Sequence, residues 1–227
     1  MPLASIEQAI EAYARGEFLV VVDDEDRENE GDLIIAADAM TPEKMNFMIR
    51  HTSGVICAPM SDERADQLDL SLMVVENTES MRTAFTVSVD VIEGTSTGIS
   101  ASDRSATVAA LANPDQIGTD FARPGHIFPL RARKGGVLKR AGHTEAAVDL
   151  CSMSGRSSVG VLCEIVNEDG TMARVPDLEK FATEHNLLFI TIADLIRYRR
   201  RNEKLVEHFA EARIPTRHGE FSAHAYR

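Results

Sequence analysis

Apolar and polar positions alternate along this chain in two rhythms, and the switches between them mark out its elements. Ile6, Ala9, Ile10 and Tyr13 recur at helical spacing behind Ser5, with Gln8 three residues after that serine. This predicts a capped amphipathic helix over residues 5 to 15, ended by Gly16. FLVVVD (18–23) and DLIIAAD (32–38) are apolar runs of strand length, so the charged stretch DEDRENEG between them is placed on a loop. Thr41-Pro42-Glu43 starts a second helix, with Thr41 as its cap and Met45, Met48 and Ile49 following. GVICAPM (54–60) reads as a buried strand, and AFTVSVDVI (84–92), which alternates strictly, as the clearest strand of all. The loop EGTSTGISASD follows, then a helix from Ser105 to Leu111 with Asp103 as its cap. GHIFPLRA, VGVLCEIV and LLFITI are further expected strands, and HTEAAVDLCSM and LEKFATEH further expected helices.

Strands and helices mix without regular alternation and nothing repeats. The expected fold is therefore α+β, a single mixed-sheet domain with flanking helices over residues 1–200. Near residue 197 the pattern changes. IRYRRRNEKLVEHFAEARIP reads as a highly charged helix, and the alternation at Phe221, Ala223 and Ala225 as a strand that starts with nothing after it to pair with.

Composition narrows the classes. With 227 residues, 44% of them apolar, the chain can bury a substantial core. Cys57, Cys151 and Cys163 form no CxxC pair and read as reduced thiols. The start has no leader-like pattern, and no apolar run approaches the roughly 18 residues of a membrane span. A cytoplasmic protein without membrane contact is expected. A net charge of −12 argues against binding a nucleic-acid backbone, which needs clustered Lys and Arg, but leaves room for a small phosphorylated substrate.

Between Asp23 and Asp32 stand seven carboxylates and one arginine, the densest charge cluster in the chain. A solvated loop is the plain reading of such a run. A calcium loop fails, because the sixth position from Asp24 is Asn29 instead of Gly and the twelfth is Ile35 instead of Glu. Carboxylates on a rigid strand connection suit Mg2+ or Mn2+, and Arg27 beside them can hold an anionic group. KRAGHTE (139–145) is the second constellation. Gly142 allows a close turn, His143 offers an imidazole to a metal, Thr144 a hydroxyl or cap, and Arg140 a fork for phosphate, although an ordinary capped turn would look the same. His126, between a Pro-Gly turn and an apolar strand, could be structural. Glu164 interrupts VGVLCEIV and would be buried, as a general acid or base or as one half of an ion pair. The hydroxyls and glycines of residues 94–103 resemble a phosphate turn without nucleotide-loop spacing, and Cys57 reads as core.

Taken in order, DDEDRENEGDLI, GTSTGISASDR, ARPGHIFPLRA, RAGHTEAAVDL and CEIVNEDG resemble 3,4-dihydroxy-2-butanone 4-phosphate synthase, over residues 1 to about 200. The resemblance implies that D-ribulose 5-phosphate is converted to L-3,4-dihydroxy-2-butanone 4-phosphate and formate in riboflavin biosynthesis. It implies Glu28 and His143 as ligands of Mg2+ or Mn2+. It also implies substrate contacts from Arg27, Glu28, Asp32, Arg140, Ala141, Gly142, His143, Thr144 and Glu164, catalytic roles for His126 and Glu164, and a homodimer with interfacial active sites. Glu164, Asp32 and His126 all stay open as the group that removes the first proton. RIPTRHGEFSAHAYR is similar to the opening of GTP cyclohydrolase II without its cysteine cluster, so residues 201–227 are expected to be a linker and the truncated start of such a domain. Two other readings compete: a metal-dependent sugar-phosphate isomerase or aldolase, and a non-catalytic acidic module that binds cations.

Overall fold

The computed structural model describes residues 3–204 and 206–227. The apolar runs pair into one seven-stranded sheet: β1 (Leu19–Val22), β2 (Gly31–Ala36), β3 (Cys57–Met60), β4 (Val89–Val91), β5 (Phe121–Arg131), β6 (Gly160–Glu164) and β7 (Leu188–Thr191). Their spatial order is β4-β5-β3-β6-β2-β1-β7. Parallel pairs (β1 with β7, β3 with β5) and antiparallel pairs (β1 with β2, β2 with β6, β3 with β6, β4 with β5) are mixed.

Successive strand residues point to opposite faces, and each face has its own helices. Leu19, Val21, Ile34, Ala36 and Leu162 share a core with α1 (Ile6–Ala14), α5 (His143–Met153) and α7 (Ile192–Asn202). Val20, Val22, Leu33, Ile35 and Val161 face α2 (Pro42–His51), α3 (Asp62–Gln67), α4 (Ala101–Ala112) and α6 (Val175–Glu184). Covering both faces explains why β1 and β2 read as unbroken apolar runs and are buried at every position. The expected caps form: Ser5 and Gln8 make the reciprocal box at α1, and Thr41 Oγ1 accepts from Lys44 N at α2.

Three expectations are corrected. AFTVSVDVI forms a ladder only at β4, with single bridges from Phe85 to Leu130 and from Thr86 to Leu72 before it, and its polar positions are buried instead of facing solvent. Thr86 donates to Pro129 O, Ser88 Oγ accepts from Gly125 N, and Asp90 accepts from His126, so both faces are occupied. Asp103 does not cap α4; Ser100 does, and Asp103 turns back onto the preceding loop. The charged helix stops at Asn202, and His208–Thr216 (β8) pairs antiparallel with Gly219–Tyr226 (β9). The strand thought to lack a partner has one on its N-terminal side. Ala210, Ala212 and Ile214 lie directly across from Ala225, Ala223 and Phe221, a two-residue rhythm hidden among the charges.

Candidate metal and substrate site

Register places the acidic loop. β1 and β2 pair with Val22 opposite Gly31, so residues 23–30 form a tight excursion at the sheet's end. β2 and β6 pair with Asp32 opposite Glu164. Asp23, the first acid after the buried strand, holds the loop in shape: its carboxylate accepts from Arg27 Nη1 (2.8 Å), Glu28 N (3.1 Å) and Glu30 N (3.0 Å). Arg27 also binds Glu28 Oε2 at 2.5 Å.

His143 opens α5 on the neighbouring face and is buried. Its Nε2 lies 3.1 Å from Val21 O, which can only accept, so Nε2 carries a proton and donates it. Nδ1 then faces Glu28 Oε2 and Asp32 Oδ1, each 3.8 Å away. Asp32 is 2% exposed, and its Oδ1 has no hydrogen-bond partner among the described residues. Burial pushes its pKa up to about 7, with Glu164, Glu28 and Glu30 adding to the push against the pull of His143. Burial works against the charged imidazole of His143, but Asp32, Glu28 and Asp23 outweigh it and hold the pKa at about 9. Glu28 is held below the ordinary carboxylate range, first by the facing His143 and then by Arg27, against burial.

These residues fit a hard divalent cation. Ligand atoms of Asp23, Glu28 and His143 lie within 4.8 Å of one another. Asp23 spends its oxygens on the loop, which leaves Glu28 and His143 as donors and Asp32 Oδ1 as an orphaned acceptor beside them. A few carboxylate oxygens and one imidazole, with room for water and substrate, suit Mg2+ or Mn2+.

Arg27, Glu28, Asp32, Arg140, His143, Thr144 and Glu164 all line one open cavity. Ala141 and Gly142 do not line it with side chains; they form the turn. A Cβ on Gly142 would fall 2.3 Å from Arg140 Nη1, so only glycine lets that arginine fold across. Arg140 donates to Glu145 Oε2 (2.7 Å) and Thr83 Oγ1 (3.0 Å), which aims its guanidinium along the cavity wall. Glu164 is not buried in its strand: it is the last residue of β6, half-exposed, and accepts from Ser53 Oγ at 2.6 Å. His126 lies elsewhere, on β5, paired with Asp90, and is not among the residues lining this cavity. No residue of the loop 94–103 lines it either.

Sequence reasoning counted Asp23 among the loop acids without its task of bracing the loop, and missed Glu145 and the wall formed by Glu79 and Thr83. Glu145 is 1% exposed and interrupts the buried face of α5, the same signal that drew attention to Glu164. Glu79 and Thr83 arrive from a loop without periodicity, and nothing in the sequence marks them.

Residues 7–198 match the family described as 3,4-dihydroxy-2-butanone 4-phosphate synthase. The chain belongs to that family. It is similar to the 3,4-dihydroxy-2-butanone 4-phosphate synthase of Agrobacterium fabrum (strain C58 / ATCC 33970), 60% identical over 198 residues that cover 87% of this chain and 93% of that protein. It is also similar to the riboflavin biosynthesis protein RibBA of Salinispora arenicola (strain CNS-205), 59% identical over 223 residues, 98% of this chain and 53% of that one. The chain thus spans about half the length of that relative. A crystal structure of a 3,4-dihydroxy-2-butanone 4-phosphate synthase in complex with two magnesium ions superposes with a TM-score of 0.86 at 46% identity, covering 88% of this chain and 98% of that one. The mixed α+β fold is that of this family. Among the described residues no helix is long and apolar enough to cross a membrane, and the three cysteines are free and buried.

Proposed function

We propose that this chain converts D-ribulose 5-phosphate to L-3,4-dihydroxy-2-butanone 4-phosphate and formate, using Mg2+ or Mn2+, for riboflavin biosynthesis in the cytoplasm. The observation that carries the reading is the aim of His143 Nδ1 at Glu28 and Asp32, inside a cavity that also holds Glu164 and Arg140. Residues 1–200 form the synthase domain in this reading, and 201–227 a linker and the start of a segment like GTP cyclohydrolase II.

The reaction must move protons next to a ketone, shift a carbon and release one carbon as formate. A divalent ion on Glu28 and His143 would stabilise negative charge as it develops on adjacent substrate oxygens. Glu164 and Asp32 sit side by side at the cavity floor by strand register, one hydrogen-bonded by Ser53 and one with a pKa near neutrality, a suitable pair for exchanging protons. Arg140, in the turn before α5, and Thr144, in the first turn of α5, hold the substrate's anionic end together with Arg27. His126 joins the chemistry from the partner subunit of a homodimer. Its absence from the wall of its own cavity supports this, as do the exposed Leu72, Met73 and Val74, which line a second hollow sharing Glu79, Thr83 and Phe85 with the first.

The test is incubation of purified protein with ribulose 5-phosphate and Mg2+, with and without chelator, assaying formate. Metal-dependent formate is expected. Turnover without formate would instead favour an isomerase or aldolase, since neither expels a one-carbon product.

A further inference from the structure

We infer that Asp90 is the positioning residue of His126: it fixes which ring nitrogen carries the proton, under a roof made by the loop at Ser96 to Gly98. The inference rests on the reading of His126 as part of the synthase site. Asp90 is 8% exposed, and each of its oxygens has a defined task. Oδ1 accepts from His126 N at 2.8 Å, and Oδ2 lies 2.6 Å from His126 Nδ1. An ionised carboxylate only accepts, so the proton of the neutral ring sits on Nδ1. Nε2 has no hydrogen-bond partner among the described residues, and the side chain is 41% exposed. Its lone pair is therefore presented outward.

The sheet sets up this geometry through an irregularity. Val89 pairs with Ile127 but Asp90 pairs with Ala122, so residues 123–126 of β5 bulge out of the ladder between those partners. Bulges re-aim side chains, and this one turns His126 onto the Asp90 carboxylate. The backbone bond to Oδ1 alone would anchor the bulge. The second bond, to Nδ1, adds nothing to the backbone and acts on the ring.

The hydroxyl-rich loop acquires a use here. Gly98 has φ +88°, and a Cβ there would fall 2.0 Å from Asp90 Oδ2 and 2.8 Å from His126 Nδ1. Its backbone thus lies directly on the pair and shields the bond from water. Asp103 holds the loop down by accepting from Ser96 Oγ (2.8 Å), Gly98 N (3.0 Å) and Ser96 N (3.3 Å). When Nε2 accepts a proton from a donor, Nδ1 keeps its own, the imidazolium is balanced by Asp90, and the proton can later be returned through Nε2.

The test is 15N nuclear magnetic resonance of His126 in the full chain, combined with formate kinetics. The neutral wild-type ring should show the Nδ1–H form; an Nε2–H ring overturns the inference without any variant. Asp90→Asn presents an amide donor to Nδ1, so the proton should move to Nε2, with kcat falling about 10²–10⁴-fold and KM little changed. Asp90→Glu, which keeps the carboxylate, should retain the Nδ1–H form and most of the activity. Wild-type kcat and an unchanged ring in Asp90→Asn would overturn the positioning role. His126→Ala separates the two readings: if it makes formate at the wild-type rate, the assignment of His126 to the synthase site fails, while the ring measurement still decides what Asp90 does.

Discussion

Asp23, Glu28 and His143 beside the acidic loop, and His208, Glu211 and His224 on the terminal hairpin, each bring three ligand atoms within 4.8 Å of one another. By residue type the hairpin trio is the richer in imidazole. They differ in what surrounds the ligands. In the cavity, Nε2 of His143 is tied to Val21 O, which commits Nδ1 to the carboxylates, and burial leaves an Asp32 oxygen unpaired beside them. On the hairpin every residue is exposed, and His224 Nδ1 rests 3.2 Å from His208 Nε2 while Glu211 stands 4.0 Å away. Those nitrogens are occupied with each other, and a two-stranded ribbon without a core of its own does little to hold them still. A metal site is made by outer partners that fix each ligand's orientation, more than by the ligand list.

Breaking the inner cluster should have the largest effect. Glu28→Gln keeps the shape and removes the charge, and formate production should fall about 10³-fold or more, since metal stabilisation of the transition state is worth several kcal/mol. A rate within tenfold of wild type at saturating Mn2+ would put the metal elsewhere. Glu164→Gln should cost about 10²–10⁴-fold in kcat while the melting temperature stays near that of wild type. Near-normal turnover of the folded variant would return Glu164 to a structural role.

A gentler perturbation is pH. The His143 pKa, about 9, lies above its ordinary 6.5, so the protonated ring stabilises the metal-free fold below pH 6.5 and this contribution is lost as pH rises through about 9. Metal must displace that proton, so Mn2+ affinity should rise about tenfold per pH unit between 7 and 9. Calorimetric titration at several pH values checks this; a flat profile would mean that His143 is not a ligand. The smallest effect belongs to the hairpin. His224→Ala, or removal of residues 215–227, should leave formate production unchanged and stability within about 0.5 kcal/mol. A sharp fall in either would make the hairpin part of the synthase.

Local signals in the sequence were reliable where the physics is local. Ser5 with Gln8 and Thr41 before Pro42 located two helices, because a cap and its target are three residues apart. The site residues were legible as types: acids after a buried strand, and a His beside a Gly turn. Their convergence was legible only through the family resemblance, since it depends on Asp32 pairing with Glu164 and on α5 lying over β1, which only sheet order decides. AFTVSVDVI misled because alternation normally means one wet face, whereas Thr86, Ser88 and Asp90 are polar positions satisfied inside. The hairpin was hidden for the opposite reason. Arginine and glutamate dominate residues 197–213, and their helical propensity masked the short two-residue rhythm of β8.

The contrast between the two clusters is tested most directly by titrating Mn2+ into the full chain and reading free ion by electron paramagnetic resonance, for wild type, Glu28→Gln and His224→Ala in parallel. Binding should be weakened strongly in Glu28→Gln and be indistinguishable from wild type in His224→Ala. Retained binding in Glu28→Gln together with lost binding in His224→Ala would place the ion on the hairpin and contradict the assignment of Glu28 and His143 as its ligands.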